Sequence, residues 1–215
     1  MSFALPRASG GGALPPNPWG DGRRRRVGLL GGSFNPGHEG HRYVAETALK
    51  AFGLDEVWLL VSPQNPLKPI AGMAPLAERL ASARAAAGGH PRIRATDIER
   101  RLGTRFTADT LAALRRRFPY CRFVWLMGAD NLVQVAQWAR WTDIFAGVPV
   151  AILARTPYSS KALASRAAHR FARCRISDRR ARRLAERAPP AWVFVHSRLH
   201  PASATAIRAK RSQGA

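Results

Sequence analysis

The chain has 215 residues and a formal charge of +22, from 35 Lys and Arg against 13 Asp and Glu. That length suffices for one α/β domain with a sizeable core, and such a charge favours polyanionic partners, an anionic nucleotide among them. No apolar run approaches the ~20 residues that cross a bilayer, so no membrane partner is expected.

Residues 1–25 are rich in Gly, Pro and Arg and lack both apolar periodicity and the apolar stretch of a secretory signal. They are expected to form a disordered basic tail that runs into Arg23-Arg24-Arg25-Arg26, with a transit peptide as the lesser alternative. The domain is expected over residues 26–215. Val27–Leu30 reads as a buried strand and His41–Phe52 as a helix, with Gly31-Gly32-Ser33-Phe34-Asn35-Pro36-Gly37-His38-Glu39-Gly40-His41 spanning their junction. A strand, a glycine turn and a helix start make an anion site, because first-turn amides are unpaired and point at the ligand. His38 and His41 stand three residues apart at that site. Each imidazole has an N–H to give a phosphate oxygen. The loop has neither the G-x-G-x-x-G of a dinucleotide fingerprint nor the Gly-Lys-Ser/Thr of a P-loop.

Further along, the pattern predicts strands at Val57–Val61, Arg92–Ala95, Phe123–Met127, Val148–Leu153 and Trp192–Val195. Helices are predicted at Pro75–Ala87, Thr107–Phe118, Asn131–Trp138, Lys161–Arg173, Asp178–Arg187 and Thr205–Arg211, with Pro75 as a first helical residue. Cys121 reads as a small buried residue ahead of its strand. With Cys174 it has no metal-ligand spacing, no protein-bound metal is expected, and a reducing cytoplasmic location fits. Strands separated by helices imply a single-domain, Rossmann-like, doubly wound parallel sheet with right-handed crossovers. Ligands in such sheets bind beyond the carboxyl ends of the strands.

Several residues read two ways. Nine arginines lie between Arg166 and Arg187. With Phe171 their lone aromatic, they suit the solvated faces of two helices better than a nucleic-acid stripe, so nucleic acid is not the expected partner. Trp138 and Trp141 are either a core aromatic pair or a ring-stacking platform. Asp130 reads also as a helix cap, Arg155 as a surface charge, and Ser203 and Thr205 as plain caps. His90, His169, His196 and His200 form no constellation and read as surface or loop residues.

The run from Gly31 to His41 resembles the G-G-[ST]-F-[DN]-P-x-H-x-G-H pattern of the HxGH nucleotidyltransferase superfamily, and Ser203-Ala204-Thr205-Ala206-Ile207-Arg208 resembles its second motif, [ST]-[ST/A]-T-x-[IV]-R. Gly103 to Leu111 is similar to the S-Y-T-x-x-T-L segment of bacterial nicotinate-nucleotide adenylyltransferases, with Arg105 and Phe106 in place of serine and tyrosine. Met127 to Leu132 is similar to their G-x-D-x-L segment. The resemblance implies transfer of the adenylyl group of ATP to nicotinate mononucleotide, giving deamido-NAD and pyrophosphate, with Mg²⁺ carried on ATP. A nicotinamide-mononucleotide or dual-specificity enzyme is the near alternative, and a basic nucleic-acid-binding protein the distant one.

By the same resemblance, His38, His41 and Arg208 are catalytic. Gly31, Gly32, Ser33, Phe34, Gly128, Asp130, Ser203 and Ile207 join them around ATP. Asn65, Lys68, Thr107, Ala108, Trp138 and Arg155 hold the nicotinate nucleotide.

Overall fold

The computed structural model describes residues 15–63, 72–154 and 159–197. Among them, seven parallel strands form one sheet in the order β3-β2-β1-β4-β5-β7-β6. They are β1 (Arg26–Gly32), β2 (Glu56–Val61), β3 (Ile93–Thr96), β4 (Arg122–Gly128), β5 (Val150–Ala154), β6 (Arg175–Ile176) and β7 (Trp192–His196). The helices are α1 (Glu39–Ala51), α2 (Leu76–Ala87), α3 (Ile98–Leu102), α4 (Thr107–Arg117), α5 (Ala129–Gln134), α6 (Trp141–Gly147), α7 (Ser159–Leu163) and α8 (Arg166–Arg170).

The strands read as continuous apolar runs because both faces of the sheet are covered. Val27, Leu29, Trp58, Leu60, Phe123, Trp125, Val150 and Ile152 pack on one face, against α4, α5, α6 and α8. Leu30, Leu59, Val124, Leu126, Ala151 and Leu153 pack on the other, against α1, α2 and a 3₁₀ helix at Asp178–Glu186. Each large side chain so buried contributes about 1.5–3 kcal/mol. The doubly wound sheet expected from the alternation is the one observed.

Local differences have local causes. The helix expected over Lys161–Arg173 divides into α7 and α8, because Ser165 caps a new start, its Oγ accepting from the Ala168 amide at 3.3 Å. The Asn131–Trp138 helix begins earlier, at Ala129, and tightens into a 3₁₀ turn at Val135–Gln137, leaving Trp138 beyond its end. Asp178–Arg187 is 3₁₀ rather than α, over Asp178–Glu186. Pro75 is the cap of α2, not its first residue. The short elements α3, α6 and β6 carry too few residues to show a period. The expected Thr205–Arg211 helix lies outside the described residues.

Residues 15–25, expected to belong to a free tail, include a docked arm. Arg117 of α4 donates to the Pro18 carbonyl at 2.8 Å and lies over the Trp19 ring at 5.5 Å. The Cys121 thiol donates to the Arg23 carbonyl at 3.4 Å, and the Arg122 amide to that of Arg25 at 2.8 Å. The arm thus meets the amino end of β4. All nine arginines from Arg166 to Arg187 are exposed, as the solvated-face reading expects. Cys121 is half-buried rather than buried, and both cysteines are free.

Candidate active site

The chain leaves β1 toward β2 and β3, then returns through β4 toward β5 on the other side. That reversal opens a crevice at the carboxyl ends of β1 and β4, where ligands of open α/β sheets bind. The register that pairs Leu30 with Leu126 brings the ends of both strands, Gly32 and Gly128, to one level.

The loop after β1 runs straight into α1. The helix starts two residues earlier than the apolar pattern suggests, because His38 is itself the cap. Its backbone is extended (φ −151°, ψ 169°), and its Nδ1 accepts from the Gly40 amide at 3.1 Å. His41 reciprocates, its Nδ1 accepting from the His38 amide at 3.3 Å. An imidazole that accepts at Nδ1 is neutral and carries its proton on Nε2. Two orphan amides are satisfied, and both rings are fixed as Nε2–H donors. The ring centroids lie 4.0 Å apart. Phe34, with φ 49° and 1 % exposure, backs His41 at 4.6 Å.

The loop is tied to α2 at several points. The Gly37 amide donates to Ser82 Oγ at 2.8 Å, and a β-carbon at Gly37 would lie 2.7 Å from the Ser82 carbonyl oxygen, so only glycine allows this approach. Asn35 donates to the Gly72 carbonyl at 2.8 Å and accepts from the Ala74 amide at 3.3 Å. Across the crevice, Gly128 caps α5, and exposed Asp130 folds its carboxylate over the space that a Gly128 side chain would fill.

On the far side, α4 begins at Thr107, and its cap residue Phe106 makes no side-chain bond to the first turn. Thr107 and Ala108 therefore present helix-start amides, which favour an anion. The two tryptophans lie close in the chain, at 138 and 141. Both are half-buried and pack against the core, Trp141 edge-on to Phe145 and Phe171 and Trp138 at the end of its 3₁₀ turn. Arg140, held at φ 50°, pairs with Asp109 in the first turn of α4. That ion pair joins the segment carrying Trp138 to the helix start carrying Thr107 and Ala108. Asn65, Lys68, Arg155, Ser203, Ile207 and Arg208 lie outside the described residues.

Buried charges that the sequence did not single out include Arg79 and Glu99. Among the described residues, Arg79, 3 % exposed, donates only to carbonyls: Ala74 at 2.8 Å, Ser33 at 2.9 Å, Ser62 at 2.7 Å and Pro63 at 2.8 Å. Burial pushes its pKa down. Glu99 of α3, 8 % exposed, is bonded by the hydroxyls of Ser62 and Thr110, and burial raises its carboxyl from 4.5 to about 7. Arg79 shares a helix face with Leu76 and Ala83, and a charge on a core-facing stripe is the signal that could have found it. The five residues of α3 are too few to mark a face for Glu99.

A neutral histidine pair at a helix start, in the crevice where a parallel sheet reverses, defines an α/β protein built to hold nucleotide phosphates. The chain belongs to the cytidylyltransferase-like family, matched over residues 29–210, and within it to the nicotinate-nucleotide adenylyltransferases. It is 54% identical over 191 residues to a Gluconacetobacter diazotrophicus protein named probable nicotinate-nucleotide adenylyltransferase, covering 89% of this chain and 88% of that one. A Parvibaculum lavamentivorans protein of the same name is 54% identical over 183 residues, covering 85% of this chain and 90% of its own length. Among solved structures, Plasmodium falciparum nicotinic acid mononucleotide adenylyltransferase complexed with NaAD has a TM-score of 0.62 at 14% identity, covering 86% of this chain and 83% of that one, which shows a shared fold. No helix among the described residues is long and apolar enough to cross a membrane.

Proposed function

We propose that this chain is a cytoplasmic enzyme that transfers the adenylyl group of MgATP to nicotinate mononucleotide, giving deamido-NAD and pyrophosphate. The 5′-phosphate oxygen of the mononucleotide attacks the α-phosphorus of ATP in line. A new phosphoanhydride forms, the bond to the β-phosphate breaks, and the electron pair leaves on the bridging oxygen of pyrophosphate. The attacking phosphate is already ionised at neutral pH, so the protein supplies position and charge stabilisation rather than a nucleophile.

One observation carries this reading: both imidazoles of the first loop are fixed as Nε2–H donors at the start of α1. His38 and His41 hold ATP phosphates there, within a cradle of Gly31, Gly32, Ser33 and Phe34. Gly128 and Asp130 border the nucleotide from β4. Ser203 and Arg208 hold the departing phosphates, arginine's planar fork matching their oxygens, and Ile207 lies with them around ATP. The amides of Thr107 and Ala108 take the pyridine carboxylate, Trp138 stacks on the ring, and Asn65, Lys68 and Arg155 line the mononucleotide. Magnesium enters with its substrate, since such an ion needs only one or two carboxylates beside substrate phosphates.

The test is release of pyrophosphate and deamido-NAD from ATP and nicotinate mononucleotide by the purified chain. Turnover that requires both substrates is the expected result. Its absence, with salt-sensitive retention on a polyanion column as the sole activity, would overturn the proposal.

A further inference from the structure

Arg79 and Glu99 are buried charges with no salt bridge among the described residues, and one serine joins them. Ser62 follows β2. Its amide donates to the Gly32 carbonyl at 3.0 Å, its carbonyl accepts from Arg79 at 2.7 Å, and its hydroxyl bonds the Glu99 carboxyl. From Arg79 the chain of bonds reaches the Ser33 carbonyl in the phosphate loop at 2.9 Å. From Glu99 it reaches α4: the Thr110 hydroxyl approaches Oε1 at 3.5 Å, and the Glu99 carbonyl accepts from the Thr104 amide at 3.1 Å. The hydroxyls of Thr104 and Thr110 meet at 2.8 Å. A polar strut therefore runs from the loop before α1 to the first turn of α4, which are the two places assigned to the two substrates.

We propose that Glu99 is a positioning residue that holds the start of α4 for the nicotinate carboxylate, and that it does so in its proton-bearing form. The inference rests on the substrate assignment made above. An ionised carboxylate behind a carboxylate-binding helix start would repel the ligand, whereas the neutral acid keeps the strut bonded and adds no charge. Burial raises the carboxyl to about 7, so the group changes form near neutrality. Among the described residues, its surroundings add no compensating cation. Arg79 reaches only the Ser62 carbonyl on this path, Asp97 is paired with Arg100 and Arg101 on α3, and Asp109 of α4 with Arg140. Ser62, after β2, and Thr110 of α4 face the carboxyl with their hydroxyls.

The experiment compares the full-length wild type with E99Q and E99A, measuring KM for each substrate and kcat at about pH 6 to 8. In the wild type, KM for nicotinate mononucleotide should rise severalfold more across this range than in E99Q, whose amide keeps the shape without the titration. At the acid end E99Q should stay within about threefold of wild type, while E99A, which loses the strut, should raise that KM roughly tenfold with smaller changes in kcat and in KM for ATP. E99Q serves as the test should E99A fail to fold. The same pH profile in E99Q and wild type would overturn the inference. So would loss of both substrates' affinity in step with the melting temperature. A wild type that turns over nicotinate mononucleotide but gives either result loses this inference alone, whereas a wild type without turnover overturns the substrate assignment and this inference together.

Discussion

Glu56 at the amino end of the sheet and Arg79 and Glu99 at the carboxyl end are held in opposite ways. At the amino end, Glu56 is 1 % exposed and meets Arg25 and Arg94, and accepts from the Trp58 indole at 3.0 Å. Its neighbour Asp55 pairs with Arg26 at 2.8 Å, and that hydrogen bond lowers its pKa. At the carboxyl end, the partners of Arg79 and Glu99 among the described residues are carbonyls and hydroxyls, and the histidines accept from amides. Paired charges fasten strands and leave little field for a ligand. Groups balanced by dipoles rather than by a countercharge leave their end of the sheet ready for a substrate's own charge.

The comparison breaks first at His41. Replacing it with alanine should lower kcat by ~10²–10³ while the fold survives, since one preorganised donor is lost. Initial rates together with circular dichroism check both halves, and a variant with more than about half of wild-type kcat would remove the phosphate role.

Glu56→Ala should do the reverse. It strands Arg25 and Arg94 and should cost about 3 kcal/mol of unfolding free energy, at the low end for a buried pair because Arg25 is partly exposed. Urea unfolding should register the loss, while the KM values of the purified variant stay near wild type. A large kinetic change at unchanged stability would erase the division between the two ends.

The pH dependence of stability should also split. Asp55 has a folded pKa below its unfolded value of 3.8, so its contribution is present above that value and is lost as pH falls through the folded one. Glu99 has a folded pKa of about 7 against 4.5 unfolded, so it costs stability increasingly from pH 4.5 to about 7 and steadily above. Thermal unfolding of E99Q should therefore gain on wild type across that window. A constant difference between the two would contradict the buried, proton-bearing carboxyl.

The smallest effect concerns the arm. Deleting residues 1–14 should leave stability unchanged, whereas deletion through Arg24 removes the Pro18, Trp19 and Arg23 contacts and should cost about 1 kcal/mol, with activity kept. Equal melting temperatures for the two truncations would show that the docked arm contributes nothing.

The strands and the first loop were legible in the sequence because parallel strands buried on both faces are plain apolar runs, and because the loop's glycines and histidines occupy a strand-to-helix junction. The helix breaks were less legible. Ser165 ends one helix by a side-chain bond that no periodicity announces, and Trp138 lies past a 3₁₀ turn that continues the same apolar pattern. The arm was misread because a composition rich in Gly, Pro and Arg gives no hint of a carbonyl that meets Arg117 across 99 positions. Arg79, Ser62 and Glu99 were silent because their roles depend on contacts between distant loops, which one chain read in order does not display.

Substrate choice is the most direct test of the central claim. Helix-start amides of Thr107 and Ala108 should bind a carboxylate by charge-assisted bonds, while a carboxamide would turn an N–H donor toward them and leave groups unsatisfied at about 1–3 kcal/mol each. Two such donors give a preference of at least ~10²-fold. The measurement is kcat/KM for nicotinate and nicotinamide mononucleotide side by side under saturating ATP. A preference for nicotinate of that size is the predicted result, and comparable values for the two would contradict the account.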